Sequence, residues 1–144
     1  MAYNVYFEDV NVGDELPGFK RRTDLMNWNR YAAINDEFIP IHMDDAAGRQ
    51  GQNEQGAFGM GNLRTAYIHN MLRNWAGDEA EIREVGIQFR AINQKNDQLT
   101  TTGKIVEKYV DGNDHLVRIE TNVVNQEGAG TAPGHAIICL PSRG

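Results

Sequence analysis

The second half of the chain alternates apolar and polar residues with the period of two that is typical of β-strands. Polar or glycine-containing turns at 111–114 and 126–128 separate the runs. The alternating runs are 85–91, 99–109 and 117–123, and a last apolar run occupies 136–140. Because short connections join antiparallel neighbours, the pattern predicts four long antiparallel strands.

The first half of the chain favours helices instead. Thr23 or Asp24 can cap a helix that ends near Asn35 and whose apolar face is Leu25, Trp28, Tyr31 and Ala32. Pro40 prevents a regular continuation, and Asp44 and Asp45 then begin a short helical turn. Short β signals at 5–7 and 18–20 precede the first helix.

The longest predicted helix covers about 59–76 and ends at Gly77. Its apolar stripe consists of Leu63, Ala66, Tyr67, Asn70, Met71 and Trp75, which indicates a helix lying against a sheet. The polar, glycine-rich residues 48–57 before it are predicted to form a mobile loop.

Composition narrows the possible partners. A chain of 144 residues is expected to form one domain, 1–144, and its net charge of −6 argues against nucleic acid or an anionic membrane as a partner. Lys20, Arg21 and Arg22 form a local basic cluster, whereas Arg49, Arg64 and Arg73 are scattered. The scattered arginines could hold a small anionic ligand, but each taken singly is interpreted as a solvated surface charge. The sequence shows neither a signal peptide nor a spanning segment, so the cytoplasm is the expected location.

The single cysteine, Cys139, lies in an apolar run and is interpreted as a buried hydrophobic residue rather than a nucleophile. The three histidines His69, His115 and His135 have no evident partner in the sequence and are interpreted as structural or surface residues.

Candidate chemistry is concentrated in the segment 31–44. Two adjacent carboxylates, Asp36 and Glu37, precede Pro40 and His42. A carboxylate and an imidazole on a proline-stiffened loop suit the addition of water to an activated double bond, or its removal. The alternative interpretations are solvated loop charges and a metal site, but the spacing matches no zinc or calcium pattern. Asp44 is expected to cap the short helix.

This segment resembles the signature YAAxSGDxNPIHxD of the MaoC-like, or (R)-specific hydratase, family, and it aligns without gaps from Tyr31 to Asp44. The triplet Phe58, Gly59 and Met60 resembles the His-Gly-Met at the start of the family's central helix. The resemblance implies an α+β fold: a single hot-dog domain in which a curved antiparallel β-sheet wraps around a long central α-helix.

The resemblance also implies a function. The expected reaction is reversible syn hydration of a trans-2-enoyl thioester of coenzyme A or acyl carrier protein to a 3-hydroxyacyl thioester, with no metal or redox cofactor. Glu37 and His42 would be the catalytic pair, and the Gly59 N–H would polarise the thioester carbonyl. Phe58 and Met60 would contact the substrate. In the family this chemistry serves fatty acid or steroid side-chain metabolism, and a homodimer or heterodimer of hot-dog domains is expected.

Departures from the signature within this segment keep alternatives open. Asp36-Glu37 replaces Gly-Asp, and Ile39 replaces an asparagine. Asp36 is therefore a second candidate for the catalytic carboxylate. The same departures suit a non-catalytic or half-catalytic subunit of a heteromeric hydratase. Acyl-CoA thioesterases of this fold usually place a carboxylate on or near the central helix. A thioesterase is therefore disfavoured, because no carboxylate lies between Gly59 and Gly77.

Overall fold

A computed structural model describes residues 3–144. Its helices are α1 (Leu25–Asn35), α2 (Asp45–Gln50) and α3 (Gly61–Ala76), with 3₁₀ turns at Phe7–Asp9 and Pro40–His42. Its strands are β1 (Lys20–Arg22), β2 (Glu81–Ile87), β3 (Gln98–Asp111), β4 (Asp114–Val124) and β5 (Gly134–Cys139). The strands form one curved sheet that packs against α3 around a single apolar core, as the α+β prediction required.

All strand pairs are antiparallel, and the order across the sheet is β1-β3-β4-β5-β2. The predicted alternation holds in β3, where Leu99, Gly103 and Ile105 are buried between neighbours that are exposed or half-buried. β2 pairs with β5 and not with β3, the next strand along the chain. Residues 88–97 must therefore cross from one side of the sheet to the other.

The strand predicted at 85–91 was placed four residues too late, because β2 is Glu81–Ile87. The strand ends at Ile87, and Phe89 beyond it is half exposed. Two further hydrogen bonds, from the Gln88 and Arg90 N–H groups to the Pro133 and Thr131 carbonyls, carry the pairing past the strand end. The side chain of Phe89 consequently lies outside the core.

Helix α3 begins at Gly61, two residues later than predicted, because Gly59 pairs with Asn93 in an isolated bridge. Its buried residues are Leu63, Arg64, Tyr67, Ile68, Met71, Leu72 and Ala76. The predicted stripe is confirmed at three of these positions, but Asn70 is exposed. Burial extends to Ile68 and Leu72 because the helix is covered on more than one side, which a single stripe does not capture.

The N-terminal half follows the predicted helix starts closely. Asp24 caps α1 in a capping box with Asn27, and Asp44 caps α2 by accepting the Ala47 N–H. The β signal at 5–7 was wrong, because Phe7–Asp9 forms a 3₁₀ turn. The segment 48–57 is not loop throughout, since α2 runs to Gln50 and Asn53 is buried.

None of the helices within residues 3–144 combines the length and the apolar character needed to cross a bilayer.

Candidate active site

His42 is held in one orientation by its surroundings. Pro40 begins the 3₁₀ turn that carries it, and the imidazole is 7% exposed. Nδ1 lies 2.7 Å from the Phe58 carbonyl oxygen, and the two rings meet edge to face with 5.1 Å between their centroids. A carbonyl can only accept, so Nδ1 carries the proton in this contact. The neutral ring then keeps an unprotonated Nε2 that can take a proton.

A cavity of about 400 Å³ lies beside His42 at the start of α3. Its walls are His42, Phe58, Gly59, Gly61, Arg64 and residues 89–92. Phe58 and Gly59, two of the predicted substrate contacts, therefore line this cavity. Met60 does not, because it is fully buried in the core.

The predicted donor role of Gly59 does not fit this geometry. Its N–H already donates to the Asn93 carbonyl, at 2.8 Å. A β-carbon at Gly59 would collide with Asn93 Oδ1 and lie 2.9 Å from Trp28 Nε1, so close packing requires glycine here. The next candidate donors are Gly61 and Asn62, since N–H groups in a helix's first turn have no intrahelical acceptor. Of these two residues, Gly61 lines the cavity.

The backbone distinguishes the two candidate carboxylates. Asp36 ends α1 in the left-handed region, with φ of 53°, and it is exposed. This conformation favours glycine and tolerates aspartate, and Asp36 aligns with the glycine of the signature. Glu37, the next residue, aligns with the catalytic aspartate. The backbone thus supports the alignment in which Glu37 is the site carboxylate.

Glu37 is half-buried and reaches the start of α3. Both carboxylate oxygens lie 3.5 Å from the Asn62 side-chain amide. Burial, and then the negative charge of Glu37, raise the pKa of Tyr31. The structure therefore brings Glu37 to the helix turn that walls the His42 cavity, although Glu37 itself does not line that cavity.

Arg64 is the site residue that sequence reasoning missed. It was interpreted as a surface charge, but it is 3% exposed. Nη1 donates to the Ala91 carbonyl at 2.7 Å and to the Thr131 carbonyl at 3.1 Å, and the guanidinium lies 5.0 Å from the centre of the Phe89 ring. Burial lowers its pKa to about 10. Its spacing of four from Ile68 and eight from Leu72 was the signal that could have placed it on a buried face.

Solved structures match almost the whole chain. No protein-family model matches it, and neither does any curated protein. An unliganded R-hydratase PhaJ1 from Pseudomonas aeruginosa is 21% identical with a TM-score of 0.84, over 97% of this chain and 88% of that one. A MaoC-like dehydratase from Rhodospirillum rubrum is 18% identical with a TM-score of 0.81, over 98% and 99%. A chain of the ChsH1-ChsH2 complex from Mycobacterium tuberculosis is 20% identical with a TM-score of 0.79, over 90% and 98%.

The chain has the hot-dog fold of the MaoC-like hydratases and dehydratases. In this hot-dog fold, α3 is the central helix and the curved sheet wraps around it. The agreement over both chain lengths confirms the fold expected from the resemblance.

The other predicted candidates lie apart from the His42 cavity. Lys20, Arg21 and Arg22 form the exposed edge strand β1. Cys139 is only half-buried, at the end of β5. Within residues 3–144, no group of three or more His, Cys, Asp or Glu side chains is placed to hold a metal ion.

Asp45 forms a hydrogen bond that anchors Ala57, the residue before Phe58. Its Oδ1 accepts from Lys95 Nζ at 2.5 Å and from the Ala57 N–H at 3.0 Å. These contacts lower the pKa of Asp45 below its ordinary 3.8, and the hydrogen bond from Lys95 has the largest effect. A lowered carboxyl pKa stabilises the folded state above the unfolded pKa, and this contribution is lost as the pH falls through the folded pKa.

Asp45→Asn is therefore expected to lose less stability than wild type when the pH is lowered from 7 to 3. Urea denaturation at both pH values measures the difference. The control is Glu54→Gln, because Glu54 is an exposed carboxylate in the neighbouring loop. Equal pH dependence in wild type and Asp45→Asn would contradict the expected coupling.

Proposed function

We propose that this chain is a hydro-lyase that adds water to a trans-2-enoyl thioester of coenzyme A or acyl carrier protein, or catalyses the reverse dehydration. The observation that carries the proposal is His42, whose protonated Nδ1 is anchored on the Phe58 carbonyl. The anchor leaves a basic Nε2 at a cavity that the N-terminus of α3 borders. A base beside a helix N-terminus suits a reaction in which negative charge develops on a thioester oxygen.

The chemistry needs a water, a proton acceptor and an oxyanion site. His42 and Glu37 would hold the water between them, and one of the pair would take a proton from it as its oxygen bonds to C3. That proton then passes to C2, so one water is added across the double bond and both side chains return to their starting state. The helix-start N–H groups, Gly61 first, would polarise the thioester carbonyl as the enolate-like charge develops.

We further propose that the working unit is a pair of hot-dog domains, either identical or different. Large apolar side chains are exposed around the cavity mouth and the loop before His42: Phe38, Ile39, Phe89 and Ile92. An apolar surface of this kind is typical of a contact between chains. The crystallised ChsH1-ChsH2 complex is a heteromeric protein of this fold.

A second candidate function is a non-catalytic subunit of a heteromeric hydratase. It is supported by the absence of the Glu37 carboxylate from the cavity that His42 lines in the single chain. Static light scattering combined with turnover separates the two functions. A homodimer that hydrates substrate supports the enzyme, whereas an inactive chain that gains activity only with a different partner chain supports the subunit.

The direct test follows the loss of enoyl-CoA absorbance with crotonyl-CoA, trans-2-octenoyl-CoA and a branched enoyl-CoA. The proposed enzyme is expected to hydrate at least one of them, and a chromogenic thiol reagent is expected to detect no free coenzyme A. Release of thiol without loss of the double bond would show a thioesterase instead. Absence of both reactions with these three substrates, and with an enoyl-CoA that carries a terminal carboxylate, would refute the enzymatic proposal.

A further inference from the structure

The Arg64 guanidinium is a buried cation without a carboxylate partner. Nη1 is occupied by two backbone carbonyls, and Nε is buried with no hydrogen-bond partner. Asp97 raises the Arg64 pKa slightly by its charge but forms no ion pair with it. The Asp97 carboxylate instead accepts hydrogen bonds from the Gln94 N–H and the Gln126 amide. A buried guanidinium without a counter-ion raises the free energy of the folded protein, and an anion that pairs with it offsets this cost.

Nη2 is the Arg64 nitrogen that remains free for an anion, because Nη1 is bonded to two carbonyls and Nε is sealed from solvent. Within residues 3–144, Nη2 has no hydrogen-bond acceptor. A guanidinium N–H forms a strong, charge-assisted hydrogen bond with a carboxylate. Phe89 covers one face of the guanidinium and the two carbonyls hold Nη1, so the side chain is already fixed before a ligand arrives.

The charge around the cavity also favours an anionic ligand. The lining contains Arg64, Arg90 and His42 but no aspartate or glutamate. The whole chain, in contrast, carries a net charge of −6. A cationic cavity in an acidic protein selects an anionic ligand by its local field.

Gly61 and Arg64 lie in the same turn of α3 and both line the cavity of about 400 Å³. If the thioester oxygen lies at the Gly61 N–H, a carboxylate at Arg64 belongs to the same bound acyl group. A single cavity that holds both groups favours a short acyl chain.

We infer that the His42 cavity takes a short dicarboxylic enoyl thioester, whose terminal carboxylate binds the free Nη2 of Arg64. The inference rests on the proposed hydration and names its substrate class. The hydration step itself is unchanged. Arg64 acts as a specificity-determining residue, because a neutral acyl chain would leave the buried cation unpaired.

The test compares two substrates that differ only in the terminal group. Glutaconyl-CoA carries a carboxylate, and 5-methylhex-2-enoyl-CoA carries the isosteric isopropyl group, while the coenzyme A phosphates are identical. Wild type is expected to show a kcat/KM at least about 100-fold higher for glutaconyl-CoA. Arg64→Met is expected to remove this preference, and Arg64→Lys to keep part of it.

Binding provides a second measurement that does not need turnover. Calorimetry with glutaryl-CoA and 5-methylhexanoyl-CoA, which lack the double bond, is expected to show tighter binding of the dicarboxylic ligand by wild type. This comparison stays decisive even if Arg64→Met, which leaves the Ala91 and Thr131 carbonyls without a donor, folds poorly. Equal or absent binding of the two ligands would overturn the inference.

The outcomes separate the two proposals. Hydration of both enoyl-CoA substrates at similar kcat/KM would refute the carboxylate site and leave the hydratase standing. Preferential binding of glutaryl-CoA without any hydration would support the carboxylate site and refute the hydratase. If the phosphates were the anion that Arg64 binds, Arg64→Met would weaken both ligands equally, and the inference would fail.

Discussion

Replacing His42 with alanine is expected to lower kcat/KM for enoyl-thioester hydration by about 10³-fold, because the proton acceptor beside the cavity is lost. The loss of the Nδ1 bond to the Phe58 carbonyl adds a stability cost of about 1 kcal/mol. His42→Asn separates the two effects, since the asparagine amide can still donate to Phe58 but offers no Nε2 base. Turnover by loss of enoyl absorbance, and stability by urea denaturation, are measured on both variants.

The matched control is His69→Ala. His69 lies exposed on α3, where its Nδ1 contacts the Thr65 carbonyl, and it does not line the His42 cavity. Its replacement is expected to leave kcat/KM within about twofold of wild type. If His42→Asn retained more than a tenth of wild-type activity, His42 would not be the catalytic base.

The second large effect is expected for Glu37→Gln, which should lower kcat by about 10²-fold or more, because the carboxylate proposed to hold the water with His42 is replaced by a neutral amide. Asp36→Asn is expected to change kcat by less than about threefold. Asparagine, like aspartate, adopts the left-handed conformation that position 36 requires, so the backbone is preserved. The two variants each remove one negative charge from adjacent residues, so each serves as the control for the other.

Steady-state kinetics on the two variants decide which carboxylate acts. A large loss in Asp36→Asn with an active Glu37→Gln would reverse the alignment proposed here. Glu37→Asp tests the length of the side chain at this position, because it keeps the carboxylate but shortens the side chain by about 1.5 Å. A loss of rate in Glu37→Asp would show that the longer side chain is needed to reach the water from this loop.

Local chemistry made the helix starts predictable. Asp24 and Asp44 cap α1 and α2 as their sequence contexts indicated, and the left-handed residue at Asp36 follows from the signature's glycine. The strands β3, β4 and β5 were equally visible, because one face of each is buried and the period of two is therefore strong. These features depend on residues close to one another in the chain.

The remaining parts of the site depend on contacts across the fold. The burial of Arg64 results from Phe89, Ala91 and Thr131, which come from two distant segments, so its charge alone suggested the surface. The occupation of the Gly59 N–H by Asn93 likewise depends on a bridge between residues that are 34 positions apart. The pairing of β2 with β5 brings the segment of Phe89 and Ala91 next to Thr131, and no local pattern encodes that choice of partner.

The crossing of residues 88–97 has a consequence for how the protein is made. The cavity wall at 89–92 is anchored through the Arg90 N–H to Thr131, just before β5. The ribosome synthesises the N-terminal part of a chain first. β2 therefore cannot pair with β5 until β5, the last strand of this sheet, has been translated. Phe89 and Ile92 are without this anchor during that interval. Assembly of the His42 cavity is thereby delayed until nearly the whole sheet has left the ribosome.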